Sequence, residues 1–371
     1  MTNPTTPARP IWFDKDAGCV KVIDQRHLPH RFVVADLCTL DDVIHAVKEM
    51  FVRGAPLIGA TGALGVYTIL ARDGQKAEDD EYVKMECERL KAARPTAVNL
   101  AWGVDIVCRA VLERKTAVSR LDACLTAALS VVEQEADNCR KIGENGVGLI
   151  ETISRNKNGA PVNILTHCNA GWLACIEYGT ATAPVYKAHE KGIPVHVWVD
   201  ETRPLNQGSR LTAWELAQAG VDHTVITDNA GGHLMQRGMV DLVIVGTDRT
   251  TRAGDVANKI GTYLKALAAR DNGIDFYVAL PSSTFDWNVK EGRQIPIEER
   301  SPDEVRFVRG LDPDGTVTDV MVPPEKSPAA NPAFDVTPAH LVTGFITERG
   351  ICDANEDAII SLFPENRQDM S

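Results

Sequence analysis

Apolar positions along the chain follow two rhythms, and the change between them falls near Pro161. Before it the spacing is mostly helical. Ile11–Asp14 and Cys19–Asp24 flank the turn Lys15-Asp16-Ala17-Gly18, which predicts a small β-hairpin. Thr39 with Asp42 predicts a capping-box-like helix start, and Leu40, Val43, Ile44, Val47, Met50 and Phe51 keep helical spacing after it. Further helical patterns run through 57–73, 80–93, 98–113 and 119–155. The first ten residues, rich in Pro and Thr, read as a mobile segment ahead of the fold.

After Pro161, short β-branched runs alternate with helix-length segments. The runs Val162–Leu165, Pro194–Val199, His223–Ile226, Leu242–Val245 and Phe276–Leu280 are expected strands. Helices are expected near 171–190, 209–220, 230–238 and 256–271. Strands that are apolar throughout and alternate with helices belong to a parallel sheet covered on both faces. The expected fold is therefore α/β. An N-terminal β-hairpin with a helical bundle fills residues 1–140, and a Rossmann-like, doubly wound, mostly parallel sheet domain fills 141–371. Leu341–Ile346 is expected as a further edge strand. The stretch 286–335, rich in Pro and charge, reads as a loop long enough to serve function or an interface.

Length agrees with two units, since 371 residues exceed what one small core supports. The formal net charge of −12 argues against a nucleic-acid surface, which needs clustered Lys and Arg. It leaves a small phosphate ligand open, because that needs only a few local cations. The nine cysteines are scattered with no C-x-x-C pair, so neither zinc nor a thioredoxin-type motif is indicated. No hydrophobic signal core and no apolar run near the roughly 18 residues of a membrane span are read, so a reducing cytoplasm is expected.

In open α/β sheets, ligands bind beyond the carboxyl ends of the strands. The turns there are Thr166-His167-Cys168-Asn169, Asp200-Glu201-Thr202-Arg203, Thr227-Asp228-Asn229, Gly246-Thr247-Asp248-Arg249 and Pro281-Ser282-Ser283-Thr284. Cys168 lies between a strand and an expected helix start, where a helix N-terminus favours the thiolate. A buried structural thiol is the competing reading. His167 faces the other way on an extended segment, so no Cys–His couple is implied. Asp248 ends an apolar strand, where a carboxyl at the edge of a dry pocket is expected to serve as a general acid. A capping role, or a pair with Arg249, competes with that. Asp228 and Asp255 read as caps. Arg53-Gly54-Ala55-Pro56 before a helix, and Asn258-Lys259 at an expected helix start, offer cations with backbone N–H groups for a phosphate. Gly59, Gly62 and Gly65 follow no strand and read as close helix packing rather than a dinucleotide fingerprint. No P-loop, G-x-S-x-G or H-E-x-x-H is present.

At these same residues the sequence resembles the methylthioribose-1-phosphate isomerase family of methionine salvage. The matching stretches include FVRGAPLIGATGALGVY (51–67), LTHCNAGWLACIEYGTA (165–181), VWVDETRPLNQGSRLTAWEL (197–216) and VDLVIVGTDRTTRAGDVANKIGTY (240–263), and they continue to NPAFDVTPAHLVTGFITERG (331–350). The superfamily also holds ribose-1,5-bisphosphate isomerases and regulatory subunits of the exchange factor for translation initiation factor two. The resemblance implies that Cys168 and Asp248 are the catalytic pair, and that Arg53, Gly54, Ala55, Arg94, Gln207, Asn258 and Lys259 bind substrate. It also implies a homodimer with no metal or organic cofactor. The chain departs from the family pattern at Thr247, Thr250 and Leu205-Asn206. The N-terminal hairpin is expected to act as a lid over the methylthio end. Activity on 5-deoxyribose 1-phosphate, on ribose 1,5-bisphosphate, or a non-catalytic regulatory role are the alternatives.

Overall fold

The N-terminal alternation forms β1 (Ile11–Asp14) and β2 (Cys19–Ile23), paired antiparallel with Ile11 opposite Val22. In the computed structural model, which describes residues 9–72 and 74–370, a third strand, β3 (Val34–Leu37), extends this hairpin along β2. Residues 1–8 of the segment read as mobile lie outside the described residues.

The helices of the bundle follow as α1 (Leu40–Lys48), α2 (Ala55–Arg72), α3 (Asp80–Lys91), α4 (Val98–Leu112) and α5 (Ala117–Asn156). Thr39 and Asp42 close the capping box at α1. By length and composition α2 could cross a membrane, against the expectation that no run is so apolar, yet 83% of it is buried inside the protein. It is the central core helix. Its glycines let α4 approach closely: a Cβ on Gly103 would stand 2.2 Å from the Gly59 carbonyl oxygen. The division expected after residue 140 falls inside the 40-residue α5. On that helix the bundle cluster reaches Ala136 and the sheet cluster begins at Ile142, with Cys139 between them packing on Ala174 and Cys175.

The chain continues as β4 (Val162–Thr166), α6 (Trp172–Cys175), α7 (Ala183–Glu190), β5 (Val195–Asp200), α8 (Ala213–Ala219), β6 (His223–Ile226), α9 (Ala230–Gln236) and β7 (Leu242–Val245). Next come β8 (Arg249–Thr251), β9 (Val256–Lys259), α10 (Thr262–Asp271), β10 (Phe276–Ala279) and β11 (Phe285–Asp286). The last are α11 (Asp303–Arg306), β12 (Phe307–Leu311), β13 (Val317–Met321), β14 (Phe334–Thr337), β15 (Gly344–Thr347), β16 (Gly350–Cys352) and α12 (Glu356–Leu362). The central sheet has the order β16-β15-β10-β7-β4-β5-β6 and is parallel except for β15–β16. Strand order runs one way from β4 through β5 to β6 and the other way through β7 and β10. The switch point of the sheet therefore lies between β4 and β7, where a crevice opens.

Four expectations need correction. The segment 171–190 is two short helices, α6 and α7, separated by a loop. The segment 256–271 is a strand followed by a helix: β9 pairs with both β8 and β14 before α10 begins at Thr262. β15 is not the edge, because β16 pairs outside it. The stretch 286–335 is not one loop, since it holds α11 and the hairpin β12–β13 and reaches the start of β14.

Candidate active site

The two residues that flank the switch point are Cys168, just beyond β4, and Asp248, just beyond β7. They line one cavity with Arg53, Gly54, Ala55, His167, Asn169, Asn258 and Thr284. The N-terminus of α2 is brought to this cavity by Gly54, whose φ of +92° suits glycine and whose Cβ would meet Ala174 Cβ at 2.4 Å.

Cys168 has a φ of +64°, a left-handed conformation that costs a non-glycine residue on the order of 1–3 kcal/mol. Two hydroxyls hold it there. Thr202 Oγ1 accepts from Cys168 N at 2.9 Å, and Thr212 Oγ1 donates to Cys168 O at 2.7 Å. Burial pushes the thiol above its ordinary value; Arg53 and Lys259 oppose this and Asp248 adds to it. The helix N-terminus expected to favour a thiolate is not its partner, because α6 starts four residues later and is only one turn long. The Arg53 guanidinium, 4.0 Å from Sγ, takes that place. Arg53 is itself fixed by Asn169, donating to its Oδ1 at 2.6 Å and to its main-chain oxygen at 2.5 Å.

His167 forms no couple with Cys168. Its Nδ1 meets both Asp200 oxygens at 2.7 and 2.8 Å, and Nε2 meets Ile260 O at 2.9 Å. His167, Asp200 and Asp228 carry ligand atoms close enough together for a metal ion, a grouping that sequence spacing did not show. The donor set does not fit one. Lys265 Nζ already pairs with Asp200 at 2.9 Å, and the Asp228 oxygens accept from Thr202 N and Arg203 N at 2.7 Å each. Asp228 is thus a loop clamp, and Asp255 likewise accepts from Gly292 N and Ala339 N.

Asp248 is half-buried, and among the described residues its carboxylate has no hydrogen-bond or ion-pair partner. The competing pair with Arg249 does not form. That guanidinium turns to Asp286 at 3.5 Å and to Thr96 O at 2.7 Å. Capping of the turn falls to Thr247, whose Oγ1 accepts from Arg249 N and from Thr250 Oγ1 at 3.1 Å each. Thr247 and Thr250 therefore bond each other and brace the Asp248 turn.

The remaining expected residues are spread around this cavity. Lys259 stands at the end of β9, not at a helix start; its Nζ donates to Ala333 O at 3.0 Å and lies 4.7 Å over the Phe334 ring. Burial pushes the ammonium below its ordinary value; Cys168 and Asp248 pull it up, while Arg94 and Arg53 push it down. Asn258 donates to Thr262 Oγ1 at 3.0 Å. Arg94 pairs with Glu298 at 3.3 Å and lines a small neighbouring cavity with Ala55 and Asp248. Gln207 lines an outer cavity of about 780 Å³ that shares Arg53 with the inner one. Its walls come from Gln25 and Arg26, just past β2, and from the β12–β13 hairpin. No residue of β1 or β2 lines it, so the N-terminal hairpin does not provide the expected lid there. The Cys168 loop is held by Asn169 and Thr202, which the sequence places in strand-end turns without this role, and by Thr212 and Glu215, which it does not single out. Thr212 and Glu215, one helical turn apart at the start of α8, were the available signal.

A thiol and an unpaired carboxylate facing one cavity, with arginine and lysine around them, form an acid–base site for a small anion. Residues 51–354 match the model of the initiation factor 2 subunit family. A methylthioribose-1-phosphate isomerase from Desulfosudis oleivorans is 66% identical over 99% of both chains. One from Desulfatibacillum aliphaticivorans is 62% identical over 96% of this chain and 97% of its own. Among solved structures, 5-methylthioribose 1-phosphate isomerase from Pyrococcus horikoshii superposes with a TM-score of 0.81 at 37% identity, covering 97% of each chain. Translation initiation factor eIF-2B, subunit delta, from A. fulgidus does so with a TM-score of 0.79 at 37% identity, over 96% of this chain and 100% of its own. The chain belongs to the initiation factor 2 subunit family and, within it, to the methylthioribose-1-phosphate isomerases.

Proposed function

We propose that this chain is an aldose–ketose isomerase that converts 5-methylthioribose 1-phosphate to 5-methylthioribulose 1-phosphate in methionine salvage. The observation that carries this reading is the 66% identity over 99% of both chains with the Desulfosudis oleivorans isomerase. Phosphate on the anomeric oxygen keeps the sugar ring closed, so the ring oxygen must be protonated while hydrogen passes from C2 to C1. Asp248 is the proton donor, since no neighbour competes for its carboxyl. Cys168 acts at C2, as base or as stabiliser of the charge that develops there, and Arg53 is its electrostatic partner. Arg53, Arg94, Lys259 and the N–H groups of Gly54 and Ala55 at the start of α2 hold the phosphate. Gln207 and Asn258 take sugar hydroxyls.

The enzyme works as a cytoplasmic homodimer, with no metal or organic cofactor. Residues 1–140 and 141–371 act as two units that share α5. 5-Deoxyribose 1-phosphate is a second substrate, because it differs only at the end remote from the chemistry, where discrimination is worth about 1–3 kcal/mol. The eIF-2B likeness favours a regulatory role as the rival reading, and the free Asp248 beside Cys168 speaks against it. The deciding experiment gives purified protein each of the two deoxy sugar phosphates and ribose 1,5-bisphosphate, and reads ketose products by NMR. Turnover of the methylthio sugar is expected; no product from any of the three would sink the proposal.

A further inference from the structure

Glu215 on α8 is fully buried and has no part in the chemistry above. Its Oε1 accepts from Asn169 Nδ2 at 3.0 Å and Leu173 N at 2.9 Å. Its Oε2 accepts from Trp172 N at 3.0 Å and from the Tyr186 hydroxyl at 3.3 Å. The carboxylate is so close to the chain that a Cβ on Gly171 would stand 1.7 Å from Oε2. Four donors thus converge on one carboxylate: Asn169 in the loop after Cys168, the first two N–H groups of α6, and Tyr186 on α7. Asn169 passes the restraint on, because its Oδ1 and main-chain oxygen hold the Arg53 guanidinium that faces Cys168 Sγ.

We propose that Glu215 is a positioning residue that, through Asn169, fixes both the Cys168 loop and the Arg53 guanidinium in the geometry the reaction needs. Its kinetic consequences rest on the isomerase reading given above. The chemistry of the site asks for a carboxylate. An ionised one accepts from all four donors, whereas an amide has a single acceptor oxygen and turns two N–H donors toward groups that are themselves donors. Arg53 is the cation nearest this network and Tyr186 the other titratable group touching it. Burial pushes the Glu215 carboxyl up to about 7 against the pull of its hydrogen bonds and Arg53. A buried ionisable carboxyl is a poor choice for stability alone, where an apolar side chain of similar volume serves as well or better.

The test uses the full chain with Glu215→Gln, which keeps shape and removes charge, and Asn169→Ala, which breaks the chain one link further on. Both are read by kcat and KM with 5-methylthioribose 1-phosphate. They are also read by the pH midpoint of Cys168 alkylation with iodoacetamide, followed on the Cys168 peptide by mass spectrometry. In both variants kcat should fall by at least about tenfold and KM rise severalfold. The alkylation midpoint should move up by at least about half a pH unit as the thiolate loses Arg53, since a cation at this range shifts a pKa by about 1–3 units. A folded Glu215→Gln variant with wild-type kcat, KM and midpoint overturns the inference, and so does one whose only change is a lower melting temperature. If Glu215→Gln does not fold, Asn169→Ala decides by the same three readouts. If the wild-type chain isomerises none of the sugars, the functional proposal fails separately and the alkylation midpoint alone decides this one.

Discussion

Arg53 and Asn169 are joined by two hydrogen bonds, one to the Asn169 side-chain oxygen and one to its carbonyl. The cation at the start of α2 is thereby fixed by the residue that follows Cys168. The bundle and the sheet meet at the site through this clamp, so the Arg53 guanidinium and the Cys168 loop are tied together.

Arg53→Lys keeps the positive charge but cannot span both Asn169 oxygens, because the planar fork is lost. KM should rise about tenfold, equivalent to about 1.4 kcal/mol of binding. Steady-state kinetics on a folded variant check this, and an unchanged KM would remove Arg53 from substrate binding.

Lys259→Ala should raise KM strongly and leave circular dichroism unaltered. The wild type should also show a KM that climbs with alkaline pH. The sign follows from burial, which lowers the ammonium's pKa from its ordinary 10.5, so the charge that binds phosphate is lost sooner as pH rises. A KM that stays flat up to pH 10.5 in the wild type contradicts the assignment.

Lys265 already pairs with Asp200, and two backbone N–H groups occupy the Asp228 oxygens, so the His167, Asp200 and Asp228 cluster is not free to bind a cation. Prolonged chelation should therefore leave turnover unchanged. Activity lost on chelation and restored by one divalent ion would overturn both the metal-free mechanism and this reading of the cluster.

Much of this arrangement was legible in the sequence. The runs Val162–Leu165 and Leu242–Val245 lie inside a parallel sheet, so their mostly apolar character, broken only by Asn163, marked them as strands and placed Cys168 and Asp248 at its carboxyl edge. β9 was misread because Ile260, Leu264 and Leu267 continue a helical spacing backward into Val256–Lys259. Pairing on both sides, with β8 just before it and with β14 some 75 residues later, makes it a strand (Lys259 lies opposite Phe334). The split between α6 and α7 was hidden for a related reason. The loop from Ile176 to Thr182 is largely buried, so the signals it does carry, Glu177 and Gly179, are outweighed by the apolar residues around them. The partners of Glu215 were beyond reach because three of the four donors are backbone N–H groups or lie more than 40 residues away.

Glu135, on α5, is wholly buried and accepts from Ser283 Oγ on both oxygens at 3.1 Å. Burial raises its carboxyl from 4.5 to about 7. The folded state therefore holds an extra proton between those values, and the contribution of Glu135 to stability is most favourable below pH 4.5 and is lost as pH rises through about 7. Glu135→Gln should melt higher than wild type at alkaline pH, by up to about 3 kcal/mol at 1.36 kcal/mol per unit, with the gap closing toward pH 5. Melting curves at several pH values check this, and a difference that does not vary with pH would contradict the assignment.

The central claim is that Asp248 and Cys168 carry the chemistry from the two sides of the sheet's switch point. Its most direct test is kcat for Asp248→Asn and Cys168→Ser on 5-methylthioribose 1-phosphate, read by product NMR. Asparagine keeps the shape and cannot deliver the proton; serine keeps the size and is a far weaker acid than a thiol. Each variant should lose at least about a hundredfold in kcat, the low end of a general acid–base contribution, with KM changed less than about threefold and an unaltered melting temperature. If either folded variant retains most of its kcat, that residue is structural and the mechanism is wrong at that point.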